Sequence, residues 1–260
     1  MTSYASNYQR FSQFTQQSDA ANFLDNALQP VIGDRILDFG CGTGNVLIDL
    51  ARRVGSTGFV VGIDPDEDRI KVAKRRLDAH AAHANVEVHL GSVDESAKYA
   101  PYDVINSNHV MHWILPEEHE KILRRIYGQL RPGGRFGFTT IRELTGYIRD
   151  VSATQYENSY DDFLSAVGWA YRPLSYWEKL LTDAGFEIVC SAEEERAYFV
   201  PNCEALLTWW ESTSLGCFNA APVIEDTEGD YEKLLKKHRW KKDEPIPTSA
   251  IHVDVVARKP

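Results

Sequence analysis

The chain has 260 residues, enough for one domain with a full core or a domain with a small cap. Apolar residues make up 43% and charged residues 25%, the balance of an ordinary globular protein. With 28 basic against 38 acidic side chains the net charge is −10, which argues against a nucleic-acid partner, since proteins that grip phosphate backbones carry a basic face.

In chain order, Phe23, Leu24, Ala27 and Leu28 fall on one face of an opening helix. Arg35 to Phe39 reads as a short buried strand, followed by a glycine loop. A helix follows with Leu47, Leu50, Ala51 and Val54 at core spacing. Phe59 to Asp64 is a second strand, and Ile70, Ala73, Leu77 and Ala81 mark a second crossover helix. Val86 to Leu90 and Tyr102 to Ser107 are the third and fourth strands. Pro116 opens a helix whose buried side carries Ile122, Leu123, Ile126, Tyr127 and Leu130. Pro132-Gly133-Gly134 breaks it, and Arg135 to Thr140 is the fifth strand.

Beyond that point the pattern is less regular. Trp177, Leu180 and Leu181 belong to another helix, stopped by Gly185. Phe186 to Cys190 and Ile251 to Ala257 are the last two strands. Strands alternating with helices predict an α/β fold, a mostly parallel, Rossmann-like sheet with helices on both faces. Residues 1–30 are expected as a helical lid segment of a single 1–260 domain, and 141–175 and 200–240 as cap insertions.

The central motif is Asp38-Phe39-Gly40-Cys41-Gly42-Thr43-Gly44, between a strand and a helix, at the edge where open α/β sheets bind ligands. Asp64 ends the second strand, twenty residues after Gly44, where a carboxylate can accept from both ribose hydroxyls. A dinucleotide fingerprint needs its third glycine three positions after the second. Asn45 stands there, and the third glycine is Gly44. An acidic residue also stands two places before Gly40. Both features favour S-adenosylmethionine over NAD or FAD.

The order of motifs resembles a class I S-adenosylmethionine-dependent methyltransferase over nearly the whole chain. The resemblance rests on Ile36 to Gly44, Val61-Gly62-Ile63-Asp64, Tyr102 to Asn108 and Leu130 to Gly134. It implies a seven-stranded sheet with an antiparallel terminal strand. It also implies S-adenosylmethionine as cofactor and S-adenosylhomocysteine as product. Gly40, Cys41, Gly42 and Gly44 would line the methionine and ribose, and Asp38 would orient the methionine amino group. Asp64 would bind the ribose, with Pro65 packed near the adenine. In Gly91-Ser92-Val93, Ser92 stands where many relatives have an acidic residue that accepts from the adenine amino group. Asn108 would lie beside the methyl donor, or cap the helix that follows.

His112-Trp113 after strand four, with Gln16 before Asp19-Ala20, resembles the juvenile hormone acid and trans-aconitate methyltransferases, which esterify a free carboxylate. The resemblance implies that Gln16 and Trp113 hold the acceptor carboxylate. The alternatives are a solvated helix position for Gln16 and core packing for Trp113. A carboxylate has a pKa of about 4–5 and needs no general base at neutral pH. His109 and His112 are the candidate bases if the acceptor is instead a hydroxyl or an amine of a small molecule. A catalytically silent S-adenosylmethionine-binding module is the remaining alternative.

Tyr4, Tyr8, Phe11, Phe14, Tyr147, Tyr156, Tyr160, Trp169, Tyr171, Trp209 and Trp210 either roof a pocket for an apolar acid or form the cap's own core. The basic runs Lys71 to Arg76 and Lys236 to Lys242 read as solvated helix faces. Met1 to Gln17 has no apolar signal core, and no run is long enough to span a bilayer. Cys41, Cys190, Cys203 and Cys217 lack metal-ligand spacing. No metal is therefore expected, and reduced thiols in the cytoplasm are.

Overall fold

The computed structural model describes residues 16–80, 85–144, 146–155, 164, 169–214, 217–226 and 228–260. The aromatics Tyr4, Tyr8, Phe11, Phe14, Tyr156 and Tyr160 lie outside them, as does Ala81. The chain divides into two compact units. One comprises Gln16–Arg142, Ala170–Glu194 and His252–Pro260. The described part of the other lies within 143–169 and 195–251.

Helix α1 (Gln16–Phe23) runs into a π-helical turn over Leu24–Leu28. Then come β1 (Arg35–Phe39), α2 (Leu47–Val54), β2 (Phe59–Asp64), α3 (Glu67–Asp78), β3 (Val86–Leu90) and β4 (Tyr102–Asn108). Helix α4 (Pro116–Gln129) leads to β5 (Leu130–Leu144), followed by α5 (Gly146–Ala153), α6 (Leu174–Asp183) and β6 (Glu187–Val200). Helices α7 (Cys203–Thr213), α8 (Ala220–Ile224) and α9 (Asp230–His238) precede β7 (Ile246–Arg258).

The strand order is β3-β2-β1-β4-β5-β7-β6. The pairs β1–β2, β1–β4, β2–β3 and β4–β5 are parallel. The terminal strand runs the other way: Gly133 N donates to Lys259 O and Lys259 N to Gly134 O, two residues against one as in an antiparallel bulge, with Gly133 at φ +78°.

Strand side chains alternate between faces, and here both faces are covered. Ile36, Val60 and Val104 enter one core with Leu24, Leu28, Leu47, Leu50, Val54 and Ile70. Their neighbours Leu37, Val61 and Ile105 enter the other, with Leu123, Ile126, Phe138, Trp177 and Leu181. A fully buried aliphatic or Phe side chain contributes about 1.5–3 kcal/mol. The near-continuous apolar runs of β1 and β2 therefore fix them as central strands.

The edges differ from the sequence expectation. Leu130 was expected on a helix face but pairs with Tyr102 as the first residue of β5. Pro132 disfavours helix at the residue before it, so α4 ends at Gln129. Residues 131–134 bulge out before Arg135 pairs with Val104.

In the second unit Trp210 is fully buried, and its indole Nε1 donates to Ser152 Oγ at 3.1 Å. Trp169 and Trp209 pack on it at 5.4 and 5.8 Å between ring centroids, and Phe218 is buried too. Tyr147 stands edge-on to Trp240 at 5.1 Å. Trp169, Trp209, Trp210 and Phe218 form part of that unit's own core, and Tyr147 and Trp240 are partly exposed.

Candidate active site

Beyond the carboxyl ends of β3, β2, β1 and β4 the chain places Ser92, Asp64, the glycine loop and Asn108 side by side along one edge of the sheet. The order reverses between β1 and β4, the place where open α/β sheets leave a crevice. Backbone bonds lock the loop: Gly40 N and Cys41 N both donate to Ile63 O, at 2.8 and 3.0 Å. Gly40 has φ +76°, and a Cβ there would sit 2.2 Å from Val110 Cγ2, so only glycine fits. Gly42 also has positive φ, +54°, but a Cβ there would meet nothing within 4 Å. The first glycine serves packing within the fold. The second leaves room for a ligand.

Asp64 is tied to this loop. Its Oδ2 accepts from Gly42 N and its Oδ1 from Asp66 N, both at 2.9 Å. Burial raises its pKa, while these two amides and Arg69 oppose the rise. Asp38 is more deeply enclosed. Burial pushes its carboxyl up to about 7, against the hydrogen bond from Asn106 Nδ2 at 2.7 Å and with the help of the Asp64 charge.

Several buried polar atoms here have no hydrogen-bond partner among the described residues: Asp38 Oδ2, Thr43 Oγ1 and both amide atoms of Asn108. Buried polar groups are nearly always paired. An acceptor at Asp38 suits an ammonium, and the amide of Asn108 offers a donor and an acceptor. With the open space over Gly42, this set fits a polar ligand carrying an amino acid and a sugar, as S-adenosylmethionine does.

The remaining expected residues differ in placement. Cys41 and Val93 are buried, and Pro65 is exposed. Ser92 is exposed and caps the helical turn Val93–Ser96. Its hydroxyl donates to Glu95 Oε2 at 2.6 Å and accepts from Asp94 N. Gln16 opens α1, but its side chain lies outside the described residues. His112 and Trp113 share a 3-10 turn, Met111–Trp113, after β4. His119 Nε2 lies 3.1 Å from Met111 O and Ala170 N donates to His112 O at 2.7 Å, which pins that turn. His112 is buried, with Nδ1 3.0 Å from Thr140 Oγ1. Burial holds its pKa well below the ordinary value, with His109 adding to the effect. Trp113 is partly exposed, its ring 5.9 Å from that of His112.

Sequence reasoning missed Asn106 and Thr140. Asn106 lies on β4 in the row Asn106-Ser107-Asn108, and β4 pairs Asn106 with Asp38. A run of three polar residues closing a buried central strand was the available signal. Thr140 gave none.

Residues 32–200, well over half of the chain, match the model of the family described as "Methyltransferase domain". The chain is 29% identical over 209 residues to a trans-aconitate 2-methyltransferase of Mycolicibacterium gilvum, covering 77% of this chain and 76% of that protein. It is 24% identical over 255 residues to one from Deinococcus radiodurans, covering 92% of each. In solved structures the fold recurs in a protein from Bacillus halodurans, with a TM-score of 0.63 at 18% identity, covering 94% of this chain and 99% of that one. The chain thus belongs to the methyltransferase-domain family, as a class I enzyme whose methyl donor is S-adenosylmethionine.

Proposed function

We propose that the acceptor is the carboxylate of a small acid and the product its methyl ester. The observation that carries this reading is the state of His112. The histidine nearest Trp113 is buried, and its Nδ1 lies 3.0 Å from Thr140 Oγ1, so that nitrogen is engaged within the fold and is not offered to an acceptor's proton. An acceptor that is already ionised needs no such base. The likeness to trans-aconitate 2-methyltransferases supports the same class.

S-adenosylmethionine supplies an activated sulfonium methyl group. The chain's own residues bind, orient and exclude water. Asp64, fixed by Gly42 and Asp66, is the proposed acceptor for ribose hydroxyls, through the lone pairs those amides leave. Asp38 Oδ2 is the proposed acceptor for the methionine ammonium, and Asn108 ends the neighbouring strand β4, two residues beyond the Asn106 that pairs with Asp38. Gln16 and Trp113 are the proposed donors to one acceptor oxygen. Neutral donors orient a carboxylate without cancelling its charge, and near-attack alignment accounts for much of the rate. Water must leave the nucleophile, since hydration stabilises it.

Among the described residues no helix is long and apolar enough to cross a membrane. The four free cysteines suit a reducing compartment, and a cytoplasmic setting with a small-molecule substrate is part of the proposal.

Methyl transfer from radiolabelled S-adenosylmethionine to a panel of acids, alcohols and amines tests this. The expected product is a base-labile ester. Label found only on amines or hydroxyls overturns the carboxylate assignment and makes His109 and His112 the residues to test as bases.

A further inference from the structure

We propose that Asp19, His109 and His252 form a binding site for one divalent transition metal ion of the zinc class. Nothing in the donor site or the acceptor reading uses these three residues together. They come from α1, from the bend after β4 and from β7, and their ligating atoms all lie within 4.8 Å of one another. All three are buried, at 8%, 6% and 3% exposure. The two imidazoles stand edge to face, 5.3 Å between centroids at 88°.

His109 is held in place by its backbone. Its N–H donates to Thr139 O on β5 at 2.8 Å, and its φ is +55°. The left-handed conformation costs a non-glycine residue about 1–2 kcal/mol. Such strain concentrates at functional sites. Here it turns an imidazole toward the ring of His252.

The donor set selects the ion. Two imidazole nitrogens and one carboxylate suit Zn2+, Fe2+ or Ni2+, whereas Mg2+ and Ca2+ take oxygen ligands. Zinc–nitrogen bonds of about 2.0–2.1 Å place tetrahedral ligand atoms about 3.4 Å apart. From separations of up to 4.8 Å, small rotations of the three side chains close that gap. Three protein ligands leave at least one open position, as in catalytic rather than structural sites. The ligand class for that position is an oxygen, from water or from a carboxylate of a bound acid. The cysteine spacing that argued against a zinc site was silent here, because the ligands are scattered through the chain and include no cysteine.

The test uses the full chain, stripped with chelator and dialysed against ZnCl2 or CoCl2, with metal content and the visible Co2+ spectrum as readouts. The expected result is one equivalent of metal, with a Co2+ spectrum of low coordination number and a melting temperature that rises with Zn2+. His252→Asn and Asp19→Asn should each weaken Zn2+ affinity at least tenfold. S-adenosylmethionine affinity should change less than twofold, which also shows that the variants fold. Two results overturn the proposal. One is wild-type protein that takes up neither ion. The other is uptake that is unchanged in His252→Asn. Either makes the three residues a polar cluster internal to the fold. The wild-type measurement decides the matter even if a variant fails to fold.

Discussion

The loop after β1 and the turn after β4 leave neighbouring strands at the same edge of the sheet, yet they are built oppositely. The first is made of glycines locked by backbone bonds to β2, with open space over Gly42. The second is filled with side chains: Val110 under Gly40, His112 on Thr140, and Trp113 beside His112. A loop that receives backbone-close ligand atoms must give up side chains. A turn that recognises an acceptor must supply them. The proposed roles follow that difference, with the donor at the first and the acceptor at the second.

The largest expected effects fall on the glycine loop. Asp64→Ala should weaken S-adenosylmethionine binding by about 10- to 100-fold, the range for losing hydrogen bonds to a charged group. Titration calorimetry reads this. Gly40→Ala should lower stability by about 1–3 kcal/mol, because its Cβ would overlap Val110. Thermal melting reads that loss, and Val110→Ala in the same chain should recover part of it. Gly42→Ala meets no protein atom, so its melting temperature should fall less than that of Gly40→Ala. Its cofactor affinity should still drop about tenfold. Equal melting losses in the two variants would erase the distinction between a packing glycine and a ligand glycine.

A smaller effect is expected from pH. The Asp38 carboxyl is raised from 3.8 to about 7 in the fold, so the native state holds that proton more tightly than the unfolded chain. Its contribution to stability is therefore fully present below the unfolded value and is lost as pH rises through about 7. An ammonium ligand prefers the ionised form. Cofactor affinity should accordingly weaken by up to about tenfold between pH 8 and pH 6, and Asp38→Asn should flatten that dependence. At saturating cofactor, kcat should stay level over the same range. His112 remains neutral there, so a level profile alone does not separate ester formation from base-assisted transfer, and product chemistry must.

The glycine loop was legible as a turn: Gly40, Gly42 and Gly44 all take positive φ, and Asp64, twenty residues on, accepts from Gly42 N as its place at the end of β2 suggested. The strands β1, β2 and β3 were legible for a different reason, their short apolar runs bounded by turn residues. Other features were set by tertiary context. Leu130 has helix-compatible apolarity, yet pairing with Tyr102 claims it for β5. Strands β5 (Leu130–Leu144), β6 (Glu187–Val200) and β7 (Ile246–Arg258) run beyond their apolar cores, which single-strand patterning does not encode. Trp209 and Trp210 fit a pocket roof or a core equally well by composition, and only their contacts with Trp169 and Ser152 place them in a core. The trio Asp19, His109 and His252 has no spacing signal at all.

The division of labour between the two turns is tested most directly by measuring cofactor dissociation constant and kcat for Asp64→Ala and Trp113→Ala together. The account predicts that Asp64→Ala loses cofactor affinity, while Trp113→Ala keeps it within about twofold and loses turnover of the acid by at least tenfold. Equal loss of cofactor affinity in both variants would contradict it.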